Sequence, residues 1–353
     1  MAVHFDLERM EQVLQNHMRW WRGELERPLV KVTIQDMYCK GDSTIPALSQ
    51  ANCMNLQWSA EQVIDAIDSV LSSQEYLGDA FPMVNFDAFG PGVLAAFCGA
   101  RMDNSSGAVW FFPREEQEIE DIHACYDPNN PIVKRIKDLY KAGLERWQGT
   151  VIMGMPDIGG VMDVAATLRG TENLLMDLYD APEEVMRLNR EIQKAWYDAY
   201  TDLSKVLEPQ RAVSNWSGLL SATPSYIIQC DFSYMIGNPM FKEFVLDTLK
   251  TDVQRLDNVI YHLDGVGELK HLEDILSIEK LKAVQWVFGD GQPPAEHWLD
   301  VYRQIAKAGK QMWICGTPES YLKVIDSIHG TPYTAHSLRK CDMELAQRLL
   351  SAR

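Results

Sequence analysis

The chain has 353 residues, of which 50 are Asp or Glu and 33 are Lys or Arg, so its formal net charge is −17. Because phosphate backbones and anionic membrane surfaces bind positive faces, this charge argues against nucleic acid and membrane as partners. The length fits one domain, since α/β barrels reach this size as a single unit.

The amino-terminal segment is charged and amphipathic, and no run of about 18 apolar residues, the length of a membrane span, occurs in the chain. The segment lacks the apolar centre of a secretion signal. The seven cysteines form no CxxC pair and are odd in number. We therefore expect a cytoplasmic protein with reduced thiols.

Short apolar runs alternate with longer amphipathic ones, which is typical of βα units. The predicted strands are Leu29–Ile34, Met83–Phe86, Val151–Met155, Ala212–Trp216, Val259–Leu263, Ala283–Val287, Gln311–Cys315 and Pro332–His336. A long insert separates the first two. Residues 1–28 are predicted to form a helical extension before the first strand. The sequence therefore predicts an α/β protein, a single (β/α)8 TIM barrel over residues 1–353.

Capping residues mark the predicted helices between the strands. Ser59 and Gln62 have the spacing of a capping box before an apolar periodic run. Pro182 and Pro239 each lie near the first turn of a later helix. Gly309 ends the helix before the seventh strand.

Functional side chains of a barrel come from the carboxyl ends of its strands and from the loops that follow. Asp157 lies among glycines after the third predicted strand, where a ligand can approach the backbone, although a helix N-cap is an alternative. Asp231 and Tyr234 follow the apolar pair Ile227-Ile228. We assign Asp157, Asp231 and Tyr234 to catalysis, and an Asx-type turn is the alternative at Asp231.

The fifth predicted strand ends in His262-Leu263-Asp264-Gly265. Side chains two residues apart on a strand share a face, so His262 and Asp264 both face the barrel mouth. A histidine and a carboxylate on one face can hold a divalent metal or form an acid–base pair. A hydrogen bond that only orders the strand end is the alternative.

Polar residues of the last three strands complete the predicted site. Gln285 and Trp286 on the sixth strand and Cys315 at the end of the seventh are assigned to substrate binding. Core packing is the alternative for Trp286, and an inert buried thiol is the alternative for Cys315. His336 at the end of the eighth strand is a candidate third metal ligand or acid–base group.

Six segments resemble the uroporphyrinogen decarboxylase-like superfamily, and they keep its strand order over nearly the whole chain. They are residues 90–100, 157–185, 230–249, 261–272, 283–291 and 309–319. The resemblance implies a (β/α)8 barrel with its site at the strand carboxyl ends. Two branches of the family are relevant, the decarboxylase itself and the corrinoid-dependent methyltransferases.

The decarboxylase branch has an amino-terminal arginine motif that holds the carboxylates of its tetrapyrrole. That motif is not recognisable here, because Arg19 and Arg22 lie in an ordinary helical pattern. Without such arginines we expect no tetrapyrrole decarboxylation.

The methyltransferase branch binds zinc through His-x-Cys-Gly on strand five and a cysteine after strand eight. His262 matches this motif, Asp264 replaces its cysteine, and His336 takes the place of the second cysteine, with Cys341 as the alternative. Cys230 and Cys315 also stay open as ligands. A set of His, Asp and His favours an oxygen ligand over a thiol.

The resemblance thus implies a metal-assisted methyltransferase. It would move a methyl group from a small O- or N-methyl substrate to a corrinoid, or cobalamin, carried by a partner protein. Zinc at His262, Asp264 and His336 would act as a Lewis acid on the substrate heteroatom. A metal-free decarboxylase or lyase and a non-catalytic binding barrel are the alternatives, and a homodimer is left open.

Overall fold

The computed structural model describes residues 3–35, 44–328 and 330–352. The strands are β1 (Leu29–Gln35), β2 (Glu75–Gly78), β3 (Met83–Val84), β4 (Arg101–Asp103), β5 (Trp110–Phe112), β6 (Ile152–Met153), β7 (Ser225–Gln229), β8 (Asn258–Asp264), β9 (Ala283–Val287), β10 (Gln311–Ile314) and β11 (Tyr333–Arg339). The helices are α1 (Leu7–Trp21), α2 (Ala60–Leu71), α3 (Leu94–Phe97), α4 (Pro131–Trp147), α5 (Val161–Arg169), α6 (Thr171–Asp180), α7 (Pro182–Leu207), α8 (Asn238–Phe244), α9 (Leu246–Arg255), α10 (Leu272–Leu276), α11 (Leu299–Lys307), α12 (Pro318–Ile325) and α13 (Met343–Ser351).

Seven strands form the main sheet, in the order β2-β1-β11-β10-β9-β8-β7. All neighbours in it run parallel except β2, which pairs antiparallel with β1. Strands β3 and β6 pair in parallel as a separate two-stranded sheet, and β4 pairs with β5. The result is an α/β architecture like that of a TIM barrel. In the part of the chain that the structure describes, the predicted ring of eight strands does not close, because β2 takes the free edge of β1.

The predicted fourth strand, Ala212–Trp216, is wrong. Only isolated bridges occur there, from Val213 to Ser221 and from Asn215 to Met155. The chain turns immediately, because the Asn215 side chain accepts a hydrogen bond from the Ser217 amide at 3.0 Å and Gly218 has a φ of +68°. The buried strand β7 takes this place in the sheet instead.

The two faces of the main sheet pack against different parts of the molecule. We call the face that carries Leu29, Ile227, Ile260 and Tyr333 the inner face, and these residues pack with Trp20 and Trp21 of helix α1. The opposite, outer face packs against the amphipathic helices and forms most of the core. Because side chains alternate along a strand, this assignment fixes where every later strand residue points.

Helix α1 is the predicted extension, and it covers the sheet near the amino-terminal ends of the strands. Asp6 caps it by accepting hydrogen bonds from the amides of Glu8 and Arg9, at 2.7 and 3.1 Å. The Trp21 indole donates to the Leu220 carbonyl at 2.9 Å. Because α1 covers the amino-terminal ends of the strands, we expect a ligand-binding site at their carboxyl ends.

Several predicted helix signals are confirmed. Ser59 and Gln62 form the capping box of α2, while Pro182 and Pro239 lie in the first turns of α7 and α8. None of the described helices combines the length and the apolar character that a membrane span needs.

Candidate active site

Three side chains meet at the carboxyl ends of β7 and β8. His262 and Asp264 lie two residues apart on the inner face of β8, and Asp231 opens the 3₁₀ turn Asp231–Met235 after β7. Because Gln229 pairs with His262 across the two strands, Asp231 leaves β7 at the level at which Asp264 ends β8. His262 and Asp264, which the sequence predicts to share one face of a strand, therefore lie next to Asp231, which follows β7.

The three side chains can contact a single ion. The His262 Nε2 atom lies 4.0 Å from Oδ1 of Asp231 and 3.9 Å from Oδ2 of Asp264. One ligand atom from each residue lies within 4.8 Å of the other two. We call Asp231, His262 and Asp264 the acid–histidine cluster.

This cluster fits a divalent metal. Zinc binds imidazole nitrogen and carboxylate oxygen at about 2.0–2.2 Å, so ligand atoms around one tetrahedral ion lie about 3.3 Å apart. Small side-chain rotations would bring the present atoms to that spacing. Three protein ligands leave a fourth position for water or substrate, as in catalytic zinc sites. One imidazole with two carboxylates is a hard donor set and favours an oxygen atom there.

Gln285 on β9 orients the His262 ring. Its Oε1 atom accepts a hydrogen bond from His262 Nδ1 at 2.5 Å, and its amide nitrogen donates to the Cys315 sulfur at 3.4 Å. With Nδ1 as the donor, Nε2 carries the lone pair and faces the two carboxylates. Burial lowers the pKa of His262, which keeps the ring neutral and available to a metal.

Replacing Gln285 with Leu is expected to weaken metal binding about 10–100-fold, the usual cost of losing a group that orients a histidine ligand. Gln285→Glu keeps an acceptor for Nδ1 and is expected to lose less. Competition with a chelator measures both affinities. An unchanged affinity in Gln285→Leu would show that the ring needs no such support.

Several carboxyl groups near the cluster hold their protons unusually tightly. Desolvation by the surrounding protein and the neighbouring Asp264 raise the pKa of Asp231 to about 7, although 48% of its side chain is exposed. Burial and Asp231 raise the pKa of Asp163 to about 7. Burial raises the pKa of Glu268, which is fully inaccessible, to about 10. A bound cation would relieve the repulsion among the ionised forms of these carboxyl groups, so the electrostatic field of the site favours a metal.

Asp163 joins the site through the backbone. Its Oδ1 atom accepts a hydrogen bond from the Phe232 amide at 2.7 Å, and its buried Oδ2 atom has no partner among the described residues. The contact holds the turn that carries Asp231. Sequence reasoning missed Asp163, although it lies only six residues after Asp157 in the same glycine-rich segment.

Asp157 is buried next to the cluster. Burial and Asp231 raise its pKa to about 8. Its Oδ1 atom accepts a hydrogen bond from the Gly159 amide at 2.9 Å. The alternative role as a helix cap does not apply, because Gly160 is the N-cap residue of α5.

Tyr234 lies at the edge of the site, with 49% of its surface exposed. Its ring covers the turn after β8, where a Cβ atom added to Gly267 would come within 2.6 Å of the ring. Tyr234 can therefore meet a ligand that enters from outside.

The structure does not bring His336 to the cluster. Tyr333 is on the inner face, so His336, three residues later, is on the outer face of β11. Its Nε2 atom lies 2.9 Å from the Thr334 hydroxyl, and its ring lies 6.1 Å from that of Tyr321 on α12. The expected set of His262, Asp264 and His336 is therefore corrected to Asp231, His262 and Asp264.

Trp286 is also on the outer face, next to the inner-facing Gln285. It is fully buried, and its ring lies 5.4 Å from that of Trp298. The expected substrate contact at Trp286 is replaced by core packing. Trp216, which the sequence placed in a strand, instead puts its ring 5.1 Å from that of His262.

The three candidate cysteines lie outside the cluster. Cys315 contacts Gln285, and burial raises the pKa of its thiol to about 12. Cys230 is buried, and Cys341 is exposed beside Asp342. Among the described side chains, no cysteine sulfur completes a group of ligand atoms with His262.

Comparison with known proteins shows a likeness in fold to a solved structure. No protein-family model and no curated protein sequence matches the chain. Its structure is similar to that of a methyltransferase from Methanosarcina mazei, with a TM-score of 0.57 and 9% sequence identity. The likeness covers 96% of this chain and 97% of the other. The two proteins therefore share a fold over nearly their whole lengths.

Proposed function

We propose that this protein is a metal-assisted methyltransferase, which moves a methyl group from a small O- or N-methyl substrate to a corrinoid on a partner protein. The observation that carries the proposal is the acid–histidine cluster, three side chains whose ligand atoms are close enough together to hold one metal ion and which would leave a fourth position open. The fold that the chain shares with a methyltransferase from Methanosarcina mazei supports it. Because one fold serves many reactions, the cluster carries more weight than the likeness.

Each residue of the site has a part in this reaction. Asp231, His262 and Asp264 would hold zinc, which supplies Lewis-acid activation of the substrate oxygen or nitrogen. Gln285 keeps His262 Nε2 directed at the ion, and Asp163 fixes the turn that carries Asp231.

The proton needed by the leaving group can come from Asp157. In the proposed reaction the electron pair of the broken carbon–heteroatom bond would stay on the heteroatom, and a Co(I) corrinoid would supply the electron pair for the new bond to the methyl group. The heteroatom then takes up a proton. With a pKa of about 8, Asp157 is protonated at neutral pH and close enough to Asp231 to interact with it electrostatically.

The corrinoid partner would dock over the carboxyl ends of the strands, because the cobalt must reach the methyl carbon in line. Tyr234 and Met235 are both about half exposed beside the cluster and offer apolar contact there. We expect a transient interface of about 1,200 Å² or less, since the corrinoid must leave to pass its methyl group on.

A reconstituted assay tests the proposal. The protein, loaded with about one equivalent of zinc, is mixed with a Co(I) corrinoid protein and a panel of methyl ethers and methylamines. Methyl-Co(III) absorbance should appear with at least one substrate and disappear after zinc is removed by a chelator. Decarboxylase or lyase activity in the metal-free protein, with no methylation across the panel, would contradict the proposal.

A metal-free decarboxylase or lyase is the second candidate. Asp157, Asp163 and Asp231 have pKa values raised to between about 7 and 8, so they could exchange protons with a substrate without a metal. Its activity would survive the chelator that abolishes methyl transfer.

A further inference from the structure

A lysine lies inside the molecule on the same face as His262. Lys31 is two residues after Leu29 on β1 and therefore belongs to the inner face. Its ammonium group donates to the Gly218 carbonyl and lies 4.4 Å from the centre of the Phe81 ring. A Cβ atom added to Gly218 would lie 2.8 Å from Lys31 Nζ and 3.3 Å from the Tyr333 hydroxyl, so these two groups flank the same spot.

Lys31 has no carboxylate partner among the residues that the structure describes. The nearby Asp79 is already bound by both terminal nitrogens of Arg27, at 2.6 and 2.8 Å. His17 is neutral, because burial lowers its pKa to about 3, so it neither pairs with the Lys31 ammonium group nor adds a second positive charge. Burial likewise lowers the pKa of Lys31 to about 7. A largely buried ammonium group without a counter-ion is unfavourable, and an anionic ligand would relieve that cost.

An aromatic surface connects Lys31 with the acid–histidine cluster. The Trp216 ring lies 5.1 Å from that of His262 and 6.4 Å from that of Trp313. Trp313 in turn lies 5.1 Å from Tyr333, whose hydroxyl donates to the Ser217 carbonyl at 2.9 Å. The buried Trp216 indole nitrogen has no hydrogen-bond partner in the described structure.

The length of this surface limits the ligand. The Trp216 ring lies beside His262, and the Gly218 carbonyl accepts a hydrogen bond from Lys31. Because Trp216 and Gly218 are two residues apart, their Cα atoms lie at most about 7 Å from each other. This proximity suits a small molecule with a flat apolar body between two polar ends.

We propose that Lys31 binds a carboxylate of the methyl donor, at the end of the substrate opposite its methyl group. The flat body of the substrate lies on Trp216 and Trp313, and its O- or N-methyl group reaches the acid–histidine cluster. This inference rests on the proposed function, because only methyl transfer identifies the substrate group at the acid–histidine cluster as an O- or N-methyl group. The substrate class is then a carboxylic acid with a methylated oxygen or nitrogen, and Lys31 determines that specificity.

Binding of two probes that differ only in charge tests the proposal without any corrinoid. Tryptophan fluorescence or calorimetry would compare para-methoxybenzoate with its neutral analogue para-methoxybenzamide on the zinc-loaded protein. A charge-assisted hydrogen bond predicts that the acid binds at least about tenfold more tightly. Lys31→Met should abolish that preference, and Lys31→Arg should keep most of it.

Controls separate the effect of Lys31 from those of surface charge, unfolding and the metal. Lys194→Met removes an exposed lysine that pairs with Asp198 on α7, and should keep the preference for the acid. Thermal unfolding would show that each variant is folded. The preference should persist in zinc-free protein, which separates binding at Lys31 from binding of the carboxylate to the metal.

The outcomes for the two proposals are distinguishable. Equal affinity for acid and amide, weak binding of both, or a preference that vanishes with zinc would overturn the role of Lys31, even if methyl transfer occurs. A Lys31-dependent preference without methyl-Co(III) formation would overturn the proposed reaction and leave an anion site at Lys31.

Discussion

We expect His262→Ala to lose its bound zinc and His336→Ala to keep about one equivalent. His262 supplies the nitrogen atom of the acid–histidine cluster, and the two carboxylates that stay behind repel each other. The loss of affinity should exceed the 10–100-fold that follows from removing an orienting group such as Gln285. His336 is a matched control, because it is also a histidine on a strand of the main sheet but lies on the outer face of β11.

Zinc content after dialysis and a thermal unfolding curve would be measured for both variants. Both proteins should stay folded, since His262 lies near the carboxyl end of its strand, where side chains serve the site more than the core, and His336 is only partly buried. Zinc loss from both variants would reinstate the ligand set that the sequence alone suggested. Equal zinc content in both variants and the wild type would place the metal elsewhere.

The sequence could predict the pairing of His262 with Asp264, because two residues on one strand have a fixed relation in any sheet. It could also single out Asp231 as a candidate site residue. It could not show that Asp231 reaches His262, since that depends on the register in which Gln229 pairs with His262. Register is set by packing between strands and is not encoded in either strand alone.

His336 and Trp286 were misplaced for a related reason. Both lie in correctly located strands, but which face of a strand is inner depends on its neighbours. Tyr333 packs against Trp20 and Trp313, and that contact fixes His336 on the outer face. Similarly, Ala283 belongs to the inner cluster, so Trp286 faces the helices.

Single charged residues were harder still to interpret. Lys31 is a lone charge in an apolar strand, and Glu268 is one of several charged residues in its segment. Side chains that are distant in sequence give both residues their surroundings. The fourth strand was misplaced because the apolar residues of Ala212–Trp216 resemble a strand, while the turn that begins at Asn215 and includes Gly218 interrupts it.

Zinc affinity is expected to fall about tenfold for each pH unit below 7. Asp231 must be ionised to bind a metal, and its pKa of about 7 means that binding displaces one proton at lower pH. His262 adds little to this dependence, because its lowered pKa leaves the ring neutral across the same range. Chelator competition between pH 5 and pH 8 should therefore show an approximately 100-fold loss from pH 7 to pH 5.

The stability of the metal-free protein should change with pH in the opposite direction to its zinc affinity. Asp231 has a folded-state pKa raised above its unfolded value of 3.8, so the folded chain binds its proton more tightly. This contribution to stability is present below pH 3.8 and is lost as the pH rises towards 7. In Asp231→Asn both effects should shrink, with weaker zinc binding at pH 8 and a flatter pH dependence. A wild-type zinc affinity that does not change between pH 5 and pH 7 would mean that Asp231 is not a ligand.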